Sequence, residues 1–350
     1  MNHSLKSIAP LVFFVIFFFC CLFPANGESL RFFDSYGFSL SGNIGFLYGN
    51  SYEIVYKGKS SKDYLSELQW DIKPLIYLGI NLDYGLKNPM DNHGFFAGLG
   101  LKIAIPTETG IMEDRDWMPY VENYPKALTH FSSHENHTKA AVLINLNTGY
   151  SIPVRKFALK FFMNFDYMYY SFEARNGYTR YGVNSPMNPE NPLTWFKPEY
   201  KPFDPKDLDK FPKNPVYGLC ISYSQHWILF NTGIGTEFPL GQFTISTGFF
   251  IGPSICIAVD NHHFGNKIFT DIMYKGIAIK PTLSVFFTFS DNFDIGLSAA
   301  YHYISDTRGN TQKKENGVVT GIYNNQAGAA FKAFEGNVLI RYRFYKKIIG

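Results

Sequence analysis

The sequence predicts an all-β protein, a ten-stranded antiparallel transmembrane β-barrel with long extracellular loops. Three observations predict it. Apolar side chains recur at every second position through segment after segment, separated by turn-rich gaps. After the first residues no apolar run is long enough for a spanning helix, which needs ~20 residues. Aromatic residues are abundant, with 35 Phe and 24 Tyr among 350 residues, while charged residues make up only 17%. Lipid-facing bands and interfacial girdles use such a composition.

The chain opens with Lys6 and an unbroken apolar run from Leu11 to Phe23, followed by Pro24-Ala25-Asn26-Gly27. This is the layout of an export signal, so residues 1–27 are expected to be a signal peptide and 28–350 the barrel. The strands are expected near Gly37–Tyr56, Leu65–Asp83, Gly94–Pro106, Lys139–Ile152, Phe157–Arg175, Gly218–Glu237, Phe243–Asp260, Ile272–Phe289, Phe293–Ser305 and Ala329–Phe344. In Phe293–Ser305, Phe293, Ile295, Leu297, Ala299, Tyr301 and Tyr303 share one face, with Asp294, Gly296, Ser298, Ala300 and His302 opposite. One face can meet lipid and the other a polar lumen. An even strand number lets the sheet close without an edge, and every backbone polar group finds a partner. Most of these segments exceed the ~5–6 residues usual for soluble strands, which argues against a soluble sandwich.

Short gaps at Pro153–Lys156, Pro239–Gln242 and Ser290–Asn292 suit periplasmic turns. Long gaps at Thr107–Thr138, Asn176–Val216, Asn261–Asp271 and Asp306–Gln326 suit external loops. Residues 176–216 form a proline-rich external loop that can be neither regular helix nor central strand. The net charge of +3 is too small to indicate nucleic acid. Cys220 and Cys256 leave two options open, one disulfide or two separate thiols.

Two loop-end motifs can carry chemistry. Asp114 and Asp116 are two apart, so in an extended segment both carboxylates face the same way. Close carboxylates cannot easily both ionise, so they can share a proton or hold a water. Asp260 and His262 likewise share a face, and a carboxylate can fix a histidine tautomer and stabilise its imidazolium. His130, His134 and His137 form a third cluster, but without the framework of a usual metal site; no metal or other cofactor is expected.

The motifs resemble the omptin family of outer-membrane endopeptidases. Gly110–Met118 is similar to its aspartate-pair motif, Thr129–His134 to its T-D-x-S-S-H segment, and Ser171–Gly177 to S-F-T-A-R-G-G. Gly45–Glu53, Ser66–Trp70 and Arg308–Thr311 resemble further family segments, all in the family's order. The resemblance implies a barrel in the outer membrane with a substrate groove at its outer rim, cleaving polypeptides near basic residues. It implies a water between Asp114 and His262, with His262 as general base, Asp260 orienting it and Asp116 supporting Asp114. It also implies substrate contacts from Glu53, Ser132 and His134.

Two acids of the family's groove are replaced here, one by Ala258 and one by His130. The expectation is weaker discrimination before the cut and little basic preference after it. The family's charged lipopolysaccharide-binding patch matches Tyr167 and Tyr169, so dependence on that lipid is expected to be reduced. The rival reading is a non-catalytic barrel acting as adhesin or narrow pore, which would not need both acidic pairs. A metal-dependent hydrolase built on the loop histidines is the third.

Overall fold

The computed structural model describes residues 35–117, 128–181 and 213–345. The expected signal peptide and most of the proline-rich loop lie outside them. Period-two alternation yields β1 (Tyr36–Tyr56), β2 (Tyr64–Leu86), β3 (Gly94–Ala104), β4 (Thr107–Asp116), β5 (His130–Val154) and β6 (Phe157–Tyr181). It continues through β7 (Asn214–Pro215), β8 (Leu219–Leu240), β9 (Phe243–His262), β10 (Lys267–Thr288), β11 (Phe293–Glu315) and β12 (Val318–Arg343). All pairings are antiparallel, and β1 pairs with both β2 and β12, which closes the ring.

Twelve strands therefore stand where ten were expected. The difference is small. β3 and β4 follow one another between β2 and β5 and together fill one position, broken at Ile105-Pro106. β7 adds only two residues to the edge of β6.

The larger correction concerns the gaps. Thr107–Thr138 is not a plain loop, because β4 and the first part of β5 occupy much of it. β10 begins at Lys267 rather than Ile272, and β11 runs on to Glu315. Hydrogen-bonded ribbons continue past the apolar band and build a raised rim. The short turns fall as expected, with Arg155 in the left-handed region between β5 and β6.

The outward face carries Phe38, Leu40, Ile44, Phe46 and Tyr48 on β1 and Phe334, Val338 and Ile340 on β12, all exposed. In a soluble protein such a continuous apolar surface would be a liability; in a bilayer it is the lipid face. The inward face has two zones. The lower lumen, a cavity of about 760 Å³, is polar and ion-paired. Glu335 is held by Lys102 and by His302 at 2.8 Å, and Asp166 by Lys280 at 2.6 Å. Asp294 is held by Arg343 and by Arg341 at 2.7 Å.

Above it lies an aromatic plug. Trp70 stacks on Tyr223 with centroids 5.4 Å apart and on Phe172 at 5.6 Å, while Tyr170 stacks on Phe331 at 5.2 Å. Leu47, Ile72, Leu75, Met112 and Trp227 complete it, all fully buried. The plug is the barrel's apolar core, and the rim residues rest on it.

Candidate active site

Each rim side chain is aimed by strand alternation. On β4, Met112 packs into the plug, so Asp114 and Asp116, two and four residues on, also face inward. Gly110 makes this phase possible. It sits at a register shift with φ of +110°, and a Cβ there would lie 2.8 Å from an Asp71 carboxylate oxygen. On β9, Cys256, Ala258 and Asp260 are buried inward in turn, and His262 follows at the rim.

β5 presents Ser132, His134 and Asn136 to the interior. His134 Nε2 is 3.0 Å from Ser132 Oγ, and its Nδ1 lies 2.5 Å from the Asn176 carbonyl oxygen. That carbonyl reaches it because Asn176 and Gly177 adopt positive φ, where β6 presses against β5. A Cβ on Gly177 would come within 2.0 Å of the Ser133 oxygen. His137 belongs to the opposite face of β5, near Glu135 at 3.9 Å. The three histidines therefore do not converge on one point.

Asp114, Asp116 and His262 line one cleft of about 460 Å³ together with His130, Ser132 and His134. The two motifs, on β4 and β9, thus face each other across the barrel mouth. His262 Nε2 is 2.5 Å from the Asp260 Oδ2, and Phe269 sets its ring edge against the imidazole at 5.6 Å. Ser66 on β2 donates to Asp114 at 3.3 Å. Glu53 is buried further down on β1, and Ala258 is fully buried beneath Asp260.

The electrostatics follow from burial of several acids around one base. Burial opposes the imidazolium of His262, but Asp260, through charge and hydrogen bond, with Asp114 and Asp116, outweighs it and raises the pKa. Burial pushes Asp114 up to about 6, held back by His262 and Ser66. Burial and the neighbouring Asp114 charge push Asp116 well above the carboxylate range. His130 is lowered by burial to about 4, so it is neutral at physiological pH. His134 is also lowered by burial, partly offset by its carbonyl contact.

Two residues of this region were not singled out by sequence. Ser66 carried no signal beyond its place in Ser66-Glu67-Leu68-Gln69-Trp70. Asp271 was assigned to a loop end, but it is buried on β10, in the inward row with Met273. Extending the alternation one step back from Met273 would have found it. Cys220 and Cys256 are both buried free thiols, which resolves the open choice.

A closed antiparallel barrel with an apolar outer face, a plugged lumen and a polar cleft at one mouth defines an outer-membrane β-barrel with a rim site. The sequence matches the Omptin family over residues 34–344, and the chain belongs to that family. Among solved structures it is similar to the outer membrane protease OmpT from Escherichia coli, with 17% identity and a TM-score of 0.72. That match covers 88% of this chain and 97% of the other. The outer membrane protein OprG from Pseudomonas aeruginosa matches at 10% identity and a TM-score of 0.37, covering 88% and 96%. No curated protein matches the sequence.

Proposed function

We propose that this chain is an outer-membrane endopeptidase that hydrolyses peptide bonds with a water activated between Asp114 and His262. The single observation that carries the reading is the convergence of Asp114, Asp116 and His262 in one rim cleft, with Asp260 behind the histidine. Four acid-base groups from distant strands are costly to gather and need a shared purpose. Family membership and the likeness to OmpT support the same conclusion.

The chemistry follows from the geometry. Asp260 accepts a hydrogen bond from His262 Nε2–H and fixes the tautomer, so Nδ1 carries the free lone pair. A water held against the Asp114 carboxylate gives a proton to that nitrogen as its oxygen bonds to the peptide carbonyl carbon. The imidazolium, stabilised by the surrounding carboxylates, then protonates the leaving amine as the C–N bond breaks. Burial and the Asp114 charge favour a protonated Asp116, so the pair carries one negative charge rather than two. No covalent intermediate is required. General-base catalysis contributes about 10²–10⁴-fold, and positioning in the cleft supplies more.

Ser132, His134 and His130 border the same cleft and are placed to contact the bound peptide. The plug beneath the cleft speaks against a pore, because Trp70, Tyr170, Phe172, Tyr223 and Phe331 fill the passage to the lower lumen. The test is cleavage of fluorescent basic peptides by folded protein. Asp114→Ala and His262→Ala should each abolish turnover while the heat-dependent gel shift of a folded barrel persists. Full activity in either variant removes that residue from the mechanism.

A further inference from the structure

Buried carboxylates are treated differently in the two zones of this barrel. In the lower lumen the three most buried ones have cations of their own. Glu335 has Lys102 and His302, Asp166 has Lys280, and Asp294 has Arg341 and Arg343. Near the rim the pattern stops. Among the described residues no lysine or arginine forms an ion pair with Glu53 or Asp271, although each is only 3% exposed. Glu53 Oε2 and Asp271 Oδ1 are both buried without a hydrogen-bond partner. A buried carboxylate left unpaired is among the more costly features a fold can hold, so this arrangement calls for an incoming cation.

The register puts the two acids around one position. Gln225, Ala258 and Asp271 form one hydrogen-bonded row across β8, β9 and β10. Gln225 reaches across the barrel to β1, where it bonds to Ser51 and donates to the Tyr52 carbonyl at 3.2 Å. Glu53 is the next inward residue above Ser51 on that strand. Ala258 places only a methyl group between Gln225 and Asp271 in this row, directly below Asp260 on its own strand. Glu53 lies within reach of the charges of both Asp260 and Asp271.

On this basis we infer that Asp271 is a specificity-determining residue, the second acid of a pocket that Glu53 and Asp271 form for the guanidinium or ammonium group of a substrate side chain before the cut. The inference rests on the endopeptidase reading above. It changes the expectation drawn from Ala258, since the acid missing from β9 has a counterpart one strand away on β10. Among the described residues no three acid, histidine or cysteine side chains are grouped to ligate one metal ion. Two buried carboxylates suit the end of a long-stemmed organic cation and favour the forked donors of arginine.

The test uses full-length folded protein and two fluorogenic peptides that differ only in arginine or its neutral isostere citrulline before the bond cut, with the cut site checked by mass spectrometry. Wild type should favour arginine strongly. In Asp271→Asn the arginine-to-citrulline ratio of kcat/KM should fall about thirtyfold, the low end for truncating one side of a desolvated charge pair. Asp271→Ser should behave alike. Adding Ala258→Asp to either should restore the ratio, because it returns the charge to the next position in the row. A merely structural role for Asp271 would not be rescued from β9. If wild type cleaves peptides but the ratio is unchanged in both Asp271 variants, the inference is overturned and the protease reading stands. If folded wild type cleaves no peptide at all, both fall together.

Discussion

Replacing Asp260 with asparagine removes the charge beside His262 while keeping the side-chain shape. Asp260 is 2% exposed and 2.5 Å from the imidazole Nε2. A unit charge centred about 4 Å away is worth ~4 kcal/mol at an effective permittivity of ~20. The His262 side chain is 36% exposed, so solvent screens part of this. Losing this close opposite charge lowers the pKa of His262. The sign matters for the rate. His262 must be neutral to accept the water's proton, so activity rises with pH through its raised pKa. Without Asp260 the acid limb of kcat/KM should move to lower pH. The plateau should meanwhile fall by about 10²–10⁴-fold, because the tautomer lock and the stabilisation of the imidazolium are lost. The assay is kcat/KM on one fluorogenic peptide across the pH range, with the heat-dependent gel shift as the folding control. An unmoved acid limb with a plateau within a few-fold of wild type would refute the role given to Asp260.

Three further outcomes are expected. His130→Asp should introduce a preference for a basic residue after the cut, since His130 is neutral near physiological pH; library profiling that shows no such gain would place His130 away from that side chain. Protein refolded without lipopolysaccharide should be active, because Tyr167 and Tyr169 here engage His226 rather than form a charged patch. Tyr167 bonds to His226 at 2.8 Å and the Tyr169 ring lies 4.7 Å from it. A strict requirement for the added lipid would point to another patch. Trp70→Ala should cost about 3–5 kcal/mol of stability and open the plug. Bilayer recordings should show ion conductance in the variant that wild type lacks, and equal conductance in both would mean the lumen is not sealed there.

Alternation by itself determined the barrel. In Phe293–Ser305 and near the C-terminal end every second residue is apolar, and a period of two assigns inside and outside without any knowledge of neighbours. The same rule put Asp114 with Asp116 and Asp260 with His262 before any fold was known. Alternation could not say where strands stop, because a polar ribbon above the membrane hydrogen-bonds as well as an apolar one within it. That is why β4 and the first residues of β10 read as loop, and why Asp271 was passed over. Nor could it bring β4 to face β9, or set Asp271 beside Ala258 in one cross-strand row. Those relations depend on ring closure and cross-strand register, which are fixed by pairings between residues far apart in the chain. Only the tertiary structure sums them.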